Sequence, residues 1–325
     1  MRAVIIPTFG GADVLTVTDL PAPSPAPGQV AVDVTHAGVN YAEIIFRRGV
    51  VPVDLPYVPG IEIAGYVWEL GDGVTGLAVG EPVAALTMVD GGGYAEVAVT
   101  DARLVARLPG EPTDQQRAEY AATGSNTTTA FLALEQVAQL RLGEHVLVHA
   151  AAGGLGSQVT QVARRLGAGR VVGTVGSLAK SGATRACDEV LLRGELAGHH
   201  DRYDVIVDPV GGTARAQSLR LLHLGGRLLA VGNASDAEDT RVGTNDLWFA
   251  SSGVLGHQTG AWAAGRPSDV GAALARAVAA VAAGEIIVDV TSHLPLDRAE
   301  TAHRELERGR TTGKLVLETG RRALS

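Results

Sequence analysis

The stretch HVLVHAAAGGLGSQVTQVARRLG, residues 145–167, decides the fold. It opens as a short apolar strand, HVLVH, passes through a turn of small residues, and continues as an amphipathic helix whose first turn is Leu155–Gln158. In the spacing G-x-G-x-x-G the three positions fall on Ala151, Gly153 and Gly156, so alanine replaces the first glycine while the close-approach and helix-packing glycines remain. Backbone N–H groups at such a helix start offer unpaired donors and partial positive charge to a pyrophosphate without a cationic side chain. Ala152, Gly153, Gly154, Leu155 and Gly156 are therefore candidate phosphate contacts. A glycine-rich turn that merely packs a helix on a strand is the competing reading; the flanking strand and helix weigh against it.

Downstream, RVVGTV (170–175), EVLL (189–192), YDVIVD (203–208), GRLLAVG (226–232) and SGVLGH (252–257) are further short apolar runs, with helical sequence over much of the intervals. With HVLVH they make six strands, the number of a doubly wound Rossmann sheet. The first 110 residues differ: VAVDVTHAGV alternates apolar and polar positions, PAPSPAPG is an extended connector, and GDGV and DGGG are turn compositions. That half reads as a mainly antiparallel β domain. The tail is expected to hold a helix near 269–283, a strand near EIIVDV, a charged helix DRAETAHRELERG and a last strand KLVLE. The fold class is thus α/β, a β domain plus a parallel six-stranded domain, with boundaries expected at 1–122, 123–260 and 261–325.

Composition narrows the function. At 325 residues, 46% hydrophobic and 19% charged, the chain is globular and long enough for two cores. A net charge of −8 repels phosphate backbones and anionic lipid, so nucleic acid and membrane are poor partners. Cys187 is the single cysteine, which excludes an intrachain disulfide and a thiolate zinc cluster and fits a reducing cytoplasm. The opening MRAVIIPTFGG is broken by Pro7 and Gly10 before it makes a signal segment, and a cytoplasmic location is expected.

In dinucleotide folds a carboxylate about 20 residues beyond the glycines commonly holds the adenine ribose. From Ser157 to Cys187 there is no Asp or Glu, whereas Ser177 and Lys180 follow the second strand. A carboxylate there would repel a ribose phosphate, and a hydroxyl with an ammonium would hold one, so NADPH is expected over NADH.

At this point the sequence resembles the zeta-crystallin-like quinone oxidoreductases of the zinc-free medium-chain dehydrogenase/reductase superfamily. GEHVLVHAAAGGLGSQVTQVAR (143–164) carries the resemblance, supported by GVNYAEIIFRRG (38–49), PYVPGIEIAG (56–65), NTTTAF (126–131), GTVGSLAK (173–180), DPVGG (208–212), GGRLLAVGNAS (225–235) and RTTGKLVL (310–317). It implies a GroES-like β domain completed by the C-terminal tail, with the nucleotide domain inserted. It also implies a homodimer joined through the SSGVLGH strand.

Carried over by resemblance, Asn40 stands beside the nicotinamide where zinc enzymes carry a ligand cysteine, and Ile61 where they carry a histidine, so no metal is expected. Tyr41, Asn126 and Thr129 match positions near the nicotinamide; Thr174, Ser177 and Lys180 lie in the phosphate-reading strand and turn. Val231, Gly232 and Asn233 border the nicotinamide, His257 edges the same pocket, and Lys314 lies in the closing Gly-Lys motif. Asn40 and Tyr41 are the catalytic candidates. A turn asparagine bonding its own backbone is the plainer reading of Asn40. Glu43 reads as a helix-start charge or an ion pair with Arg47, and Glu62 as the structural partner of a nearby donor. His36, His149 and His257 are scattered and lack the local spacing of a zinc site.

The sequence departs from the family pattern at Ile45, where many members carry a tyrosine, and in the segment after Lys180. The expected activity is hydride transfer from NADPH to a small-molecule acceptor of the quinone type. An enone or enoyl reductase is the alternative, and a nucleotide-binding protein without turnover a third reading.

Overall fold

The structure is a computed structural model and describes residues 1–320. The chain begins with an antiparallel pair, β1 (Arg2–Ile5) and β2 (Thr16–Asp19). After the proline-rich connector comes β3 (Gln29–Val39), followed by α1 (Tyr41–Arg47), β4 (Glu62–Leu70), β5 (Pro82–Leu86), β6 (Val97–Asp101), β7 (Val105–Arg107) and the long α2 (Asp114–Phe131). β3 is buried almost end to end, and its register with β4 slips between Val34 and His36. A bulge of this kind switches the parity of the side chains. Before it Val30, Val32 and Val34 enter the core; beyond it Ala37 and Val39 do, which puts His36, Gly38 and Asn40 together on the other face.

The nucleotide-fold elements follow: β8 (His145–Val148), α3 (Gly154–Arg165), β9 (Arg170–Val175), β10 (Glu189–Leu192), β11 (Tyr203–Asp208), α4 (Gly212–Leu219), β12 (Leu222–Ala230), α5 (Thr244–Ala250) and β13 (Gly253–Gly256). They form an all-parallel six-stranded sheet in the order β10-β9-β8-β11-β12-β13. The order reverses between β8 and β11, which is the switch point where such sheets take their ligands. The central strands are largely apolar because both faces are covered: Leu147, Val172, Ile206 and Leu228 share one cluster with Leu196 and Leu221.

The chain then returns through α6 (Thr259–Gly265), α7 (Pro267–Ala282), β14 (Val290–Pro295), α8 (Ala299–Glu307) and β15 (Lys314–Glu318). β15 pairs antiparallel with β3, and β14 adds parallel to β15, so the tail completes a seven-stranded sheet begun near residue 29. One expectation fails here. EIIVDV is not a strand; Ile286 and Val288 are buried from an irregular segment, and the ladder begins at Val290 with the more polar VTSHLP. Alternating apolar residues mark burial, and only an adjacent strand makes a ladder.

Two compact units result, one from Met1–Thr128 with the chain from Thr259 onward, the other from Thr129–Gln258. Among the described residues no helix is long and apolar enough to cross a membrane.

Candidate active site

The glycine turn after β8 is held by backbone contacts. Ala150 adopts a left-handed φ of 53°, its carbonyl accepts the Gly153 N–H at 2.8 Å, and the Ala151 N–H bonds Thr174 O at 2.9 Å. A Cβ on Gly156 would overlap the Ala150 carbonyl, whereas one on Gly153 would stand 3.2 Å from it, so Gly156 is the strict requirement of the cradle. Gly153 is extended (φ −87°, ψ 173°) and α3 starts immediately after it, leaving the first N–H groups of the helix without intrahelical partners. A pyrophosphate fits that chemistry.

The other expected cofactor residues of this unit lie at the same, carboxyl-terminal ends of the parallel strands. Ser177 and Lys180 share the turn after β9, where the Lys180 N–H bonds Ser177 O at 3.1 Å. Partial burial, and then Arg193, lower the Lys180 pKa from its ordinary value. Val231, Gly232 and Asn233 follow β12, and His257 follows β13 with its N–H on Ala230 O at 3.1 Å. Asn233 is tied into its own turn, donating to Ala237 O at 2.9 Å and accepting from Ser235 Oγ at 3.2 Å. Thr174 points inward, its hydroxyl 2.9 Å from His149 Nδ1, and supports the cradle from beneath. Burial pushes His149 and His257 down to about 4, so both imidazoles are neutral at pH 7. Thr129 is partly buried at the start of this unit. Cys187 packs beside Gly173, and burial pushes its thiol up to about 11, the property of a packed thiol and not of a nucleophile.

In the other unit a polar cluster forms around Asn40, at the end of β3. Its amide Nδ2 donates to Glu62 Oε1 at 2.7 Å, and its Oδ1 accepts from Lys314 Nζ at 2.6 Å and from Asn126 Nδ2 at 3.1 Å. Because the lysine must face an acceptor and the carboxylate a donor, the amide orientation is fixed. Lys314 Nζ also donates to Glu62 Oε1 at 2.6 Å and to Val39 O at 3.2 Å, and the Ser125 N–H donates to Glu62 Oε2 at 2.6 Å. Lys314 and Glu62 are 3% and 0% exposed, so this is a buried, hydrogen-bonded ion pair. Gly38 and Gly124 make room for it; a Cβ on Gly38 would overlap the Glu62 carboxylate, and one on Gly124 would stand 3.1 Å from Glu62 Cβ.

Glu43 sits beneath Asn40, accepting the Asn40 N–H at 2.9 Å and the Ile61 N–H at 3.2 Å. Burial pushes its pKa up to about 8, against the pull of Lys314 and of the backbone donors. Its role as a helix-start acceptor is as expected, but the ion pair with Arg47 does not form. Arg47 is fully buried and is bonded instead to Glu307, to His303 Nδ1 at 3.1 Å and to Gly10 O at 3.1 Å. Lys314, expected at the cofactor, has its three N–H donors on Glu62, Asn40 and Val39, so it acts on Asn40. Asn126 joins the cluster through Asn40, and Tyr41 begins α1 half-buried beside it. Sequence reasoning missed the link between Glu62 and Lys314, 252 residues apart, and the two glycines that accommodate it; a glycine in the strand pattern at Gly38 was the available signal.

A switch-point cradle on a parallel sheet, inserted in sequence within a mainly antiparallel β unit, is a dinucleotide-binding architecture. Residues 26–110 match the alcohol dehydrogenase GroES-like domain model, and residues 182–317 match the zinc-binding dehydrogenase model. Human quinone oxidoreductase is 30% identical over 339 residues, covering 98% of this chain and 97% of that protein. The spectinabilin polyketide synthase system protein NorB of Streptomyces orinoci is 36% identical over 96% of this chain, and the mycocerosic acid synthase-like polyketide synthase of Mycobacterium tuberculosis is 30% identical over 90%. The chain spans only 14% of the length of those two synthases. Among solved structures, Escherichia coli quinone oxidoreductase complexed with NADPH superposes with a TM-score of 0.87 at 28% identity, covering 98% of this chain and 100% of that one. A mycobacterial protein complexed with NADPH gives 0.88 at 30% identity, again covering 98% and 100%. The chain belongs to the quinone oxidoreductase family of the medium-chain dehydrogenases/reductases.

Proposed function

We propose that the chain is a zinc-independent oxidoreductase that uses NADPH to deliver hydride to a quinone-type acceptor. The observation that carries this reading is the cradle at Gly153–Gly156, followed by a turn that offers Ser177 and Lys180 and no carboxylate. Bound NADPH supplies the hydride at its nicotinamide. The α3 N-terminus would hold the pyrophosphate, and Ser177 with Lys180 the ribose phosphate. Asn40, held by Glu62 and Lys314, keeps one amide N–H for a substrate oxygen or the cofactor carboxamide, and Tyr41 closes the wall beside it. Zinc independence is supported by the donor set: the cation beside Glu62 and Asn40 is the Lys314 ammonium, and Ile61 offers no ligand atom.

A second reading, reduction of an enone or enoyl thioester, is favoured by the match to polyketide synthases and by Ile45, which stands where many members of the family carry a tyrosine. There hydride goes to the β-carbon, and the enolate oxygen takes the hydrogen bond that Asn40 can give. Steady-state oxidation of NADPH and NADH with para-quinones, ortho-quinones, enones and enoyl thioesters, products identified, separates the two. Hydroquinone formed with NADPH much preferred supports the first; a saturated carbonyl with inert quinones replaces it by the second.

The same reading includes a homodimer through β13, one of the two edge strands of the parallel sheet. Beside it in sequence, Trp248 and Phe249 stack at 4.8 Å and are 72% and 77% exposed, an apolar pair suited to burial against a second copy. Light scattering is expected to give twice the chain mass for the native protein and the single mass for Trp248→Asp.

A further inference from the structure

We propose that His36, His293 and Glu318, with Asp114 beside them, bind one divalent transition-metal ion of the zinc type at a site separate from Asn40. One ring nitrogen of each histidine and a carboxylate oxygen of Glu318 lie within 4.8 Å of one another. The sheet brings them together: β14, β15 and β3 are adjacent, Glu318 lies opposite His36, and His293 pairs with Val316, whose side chain shares the Glu318 face. α2 packs on that face through Ala118 and Ala122 against Val316, and its first residue, Asp114, places Oδ1 3.8 Å from His36 Nε2.

The protonation pattern points to a ligand. Thr35 Oγ1 donates to Ala64 O at 3.1 Å and therefore accepts from His36 Nδ1 at 3.0 Å, which leaves Nε2 with a lone pair. His36 is 2% exposed, and its Nε2 has no hydrogen-bond partner. A buried lone pair facing a carboxylate is unfavourable unless a cation stands between them. The Nδ1–H bond to Thr35 is the outer hydrogen bond that orients metal-binding imidazoles. His293 and Glu318, 3.0 Å apart, form the open side of the site, with side chains 33% and 41% exposed, which gives an ion a path in. Asp114 Oδ1 is shared with Arg117 Nη2 at 2.8 Å, so it is the weakest of the four. Two imidazoles with carboxylate oxygen suit zinc, cobalt or nickel over magnesium or calcium.

The site sits on the face of β3 and β15 that carries Asn40 and Lys314, about 13 Å away along the strands. An ion there would tie the tail strands to β3 and to the start of α2, whose Ser125 and Asn126 contact the Asn40 cluster.

The test is titration of the full, untagged chain with zinc against a chromophoric chelator, repeated for His293→Ala, Glu318→Gln and, as a surface control, His223→Ala. The native chain and the control are expected to bind one equivalent, with affinity lowered at least tenfold in His293→Ala and Glu318→Gln. Cobalt is expected to give a visible d–d absorption in the native chain that His293→Ala loses. Absence of stoichiometric binding, or equal binding by His293→Ala, overturns the proposal. Circular dichroism of His293→Ala without metal is expected to match the native chain, so that lost binding reads as a lost ligand.

Discussion

The glycine cradle and the Asn40 cluster solve the same problem, presenting hydrogen-bond donors to a ligand, in opposite ways. The cradle is made of backbone, within one strand, turn and helix, and its demands are steric: Gly156 lies against the Ala150 carbonyl. The cluster is made of side chains from β3, β4, α2 and β15, and its demands are electrostatic: a buried ion pair must stay complete to hold one amide. A local device tolerates change in its surroundings; a device assembled from four segments fails when any one charge is removed.

Lys314→Met sharpens this contrast most. It leaves the Glu62 carboxylate buried without its cation, and unfolding in denaturant is expected to show a loss of about 3–5 kcal/mol; the double variant Lys314→Met/Glu62→Leu is expected to recover part of it. Asn40→Ala comes next. It removes the proposed donor, and kcat is expected to fall by about 10²-fold or more, read by steady-state kinetics with the best acceptor.

Glu43→Gln acts through pH. The native carboxyl has its pKa raised to about 8 when folded, so the folded state binds more protons than the unfolded one between the ordinary carboxylate range and that value. The contribution of Glu43 is therefore fully present at low pH and is lost as pH rises toward 8. Gln cannot titrate, so the stability of the native chain relative to Glu43→Gln is expected to decline over pH 5–8, by up to about 1.4 kcal/mol per pH unit. Equal pH dependence of the two chains breaks the electrostatic account of this region. Lys180→Ala is the smallest change. It is expected to raise the NADPH KM about tenfold, about 1.4 kcal/mol, and leave NADH unaltered.

The same contrast explains what the sequence could reveal. β9, β10, β11 and β15 fall on the residues that apolar runs predict, because a buried parallel strand or a paired tail strand is specified by its own composition. The cradle was legible for the same reason. EIIVDV misled because Ile286 and Val288 alternate and are buried without a ladder partner. The bond of Lys314 to Asn40 is not legible in a closing Gly-Lys motif, which carries no information about what lies across the sheet; the pairing of Leu315 with Val39 brings it there. Arg47 escaped for a similar reason, since its partners Glu307 and His303 come from α8, more than 250 residues away.

The most direct test of the division between backbone cradle and side-chain cluster is NADPH binding measured by fluorescence titration on Gly156→Ala and Asn40→Ala together, with turnover on the same samples. The account predicts that Gly156→Ala loses NADPH affinity by about 10²-fold, an order set by the backbone overlap, while Asn40→Ala keeps its Kd within about threefold and loses turnover. Equal loss of binding in both variants, or full turnover by Asn40→Ala, would contradict it.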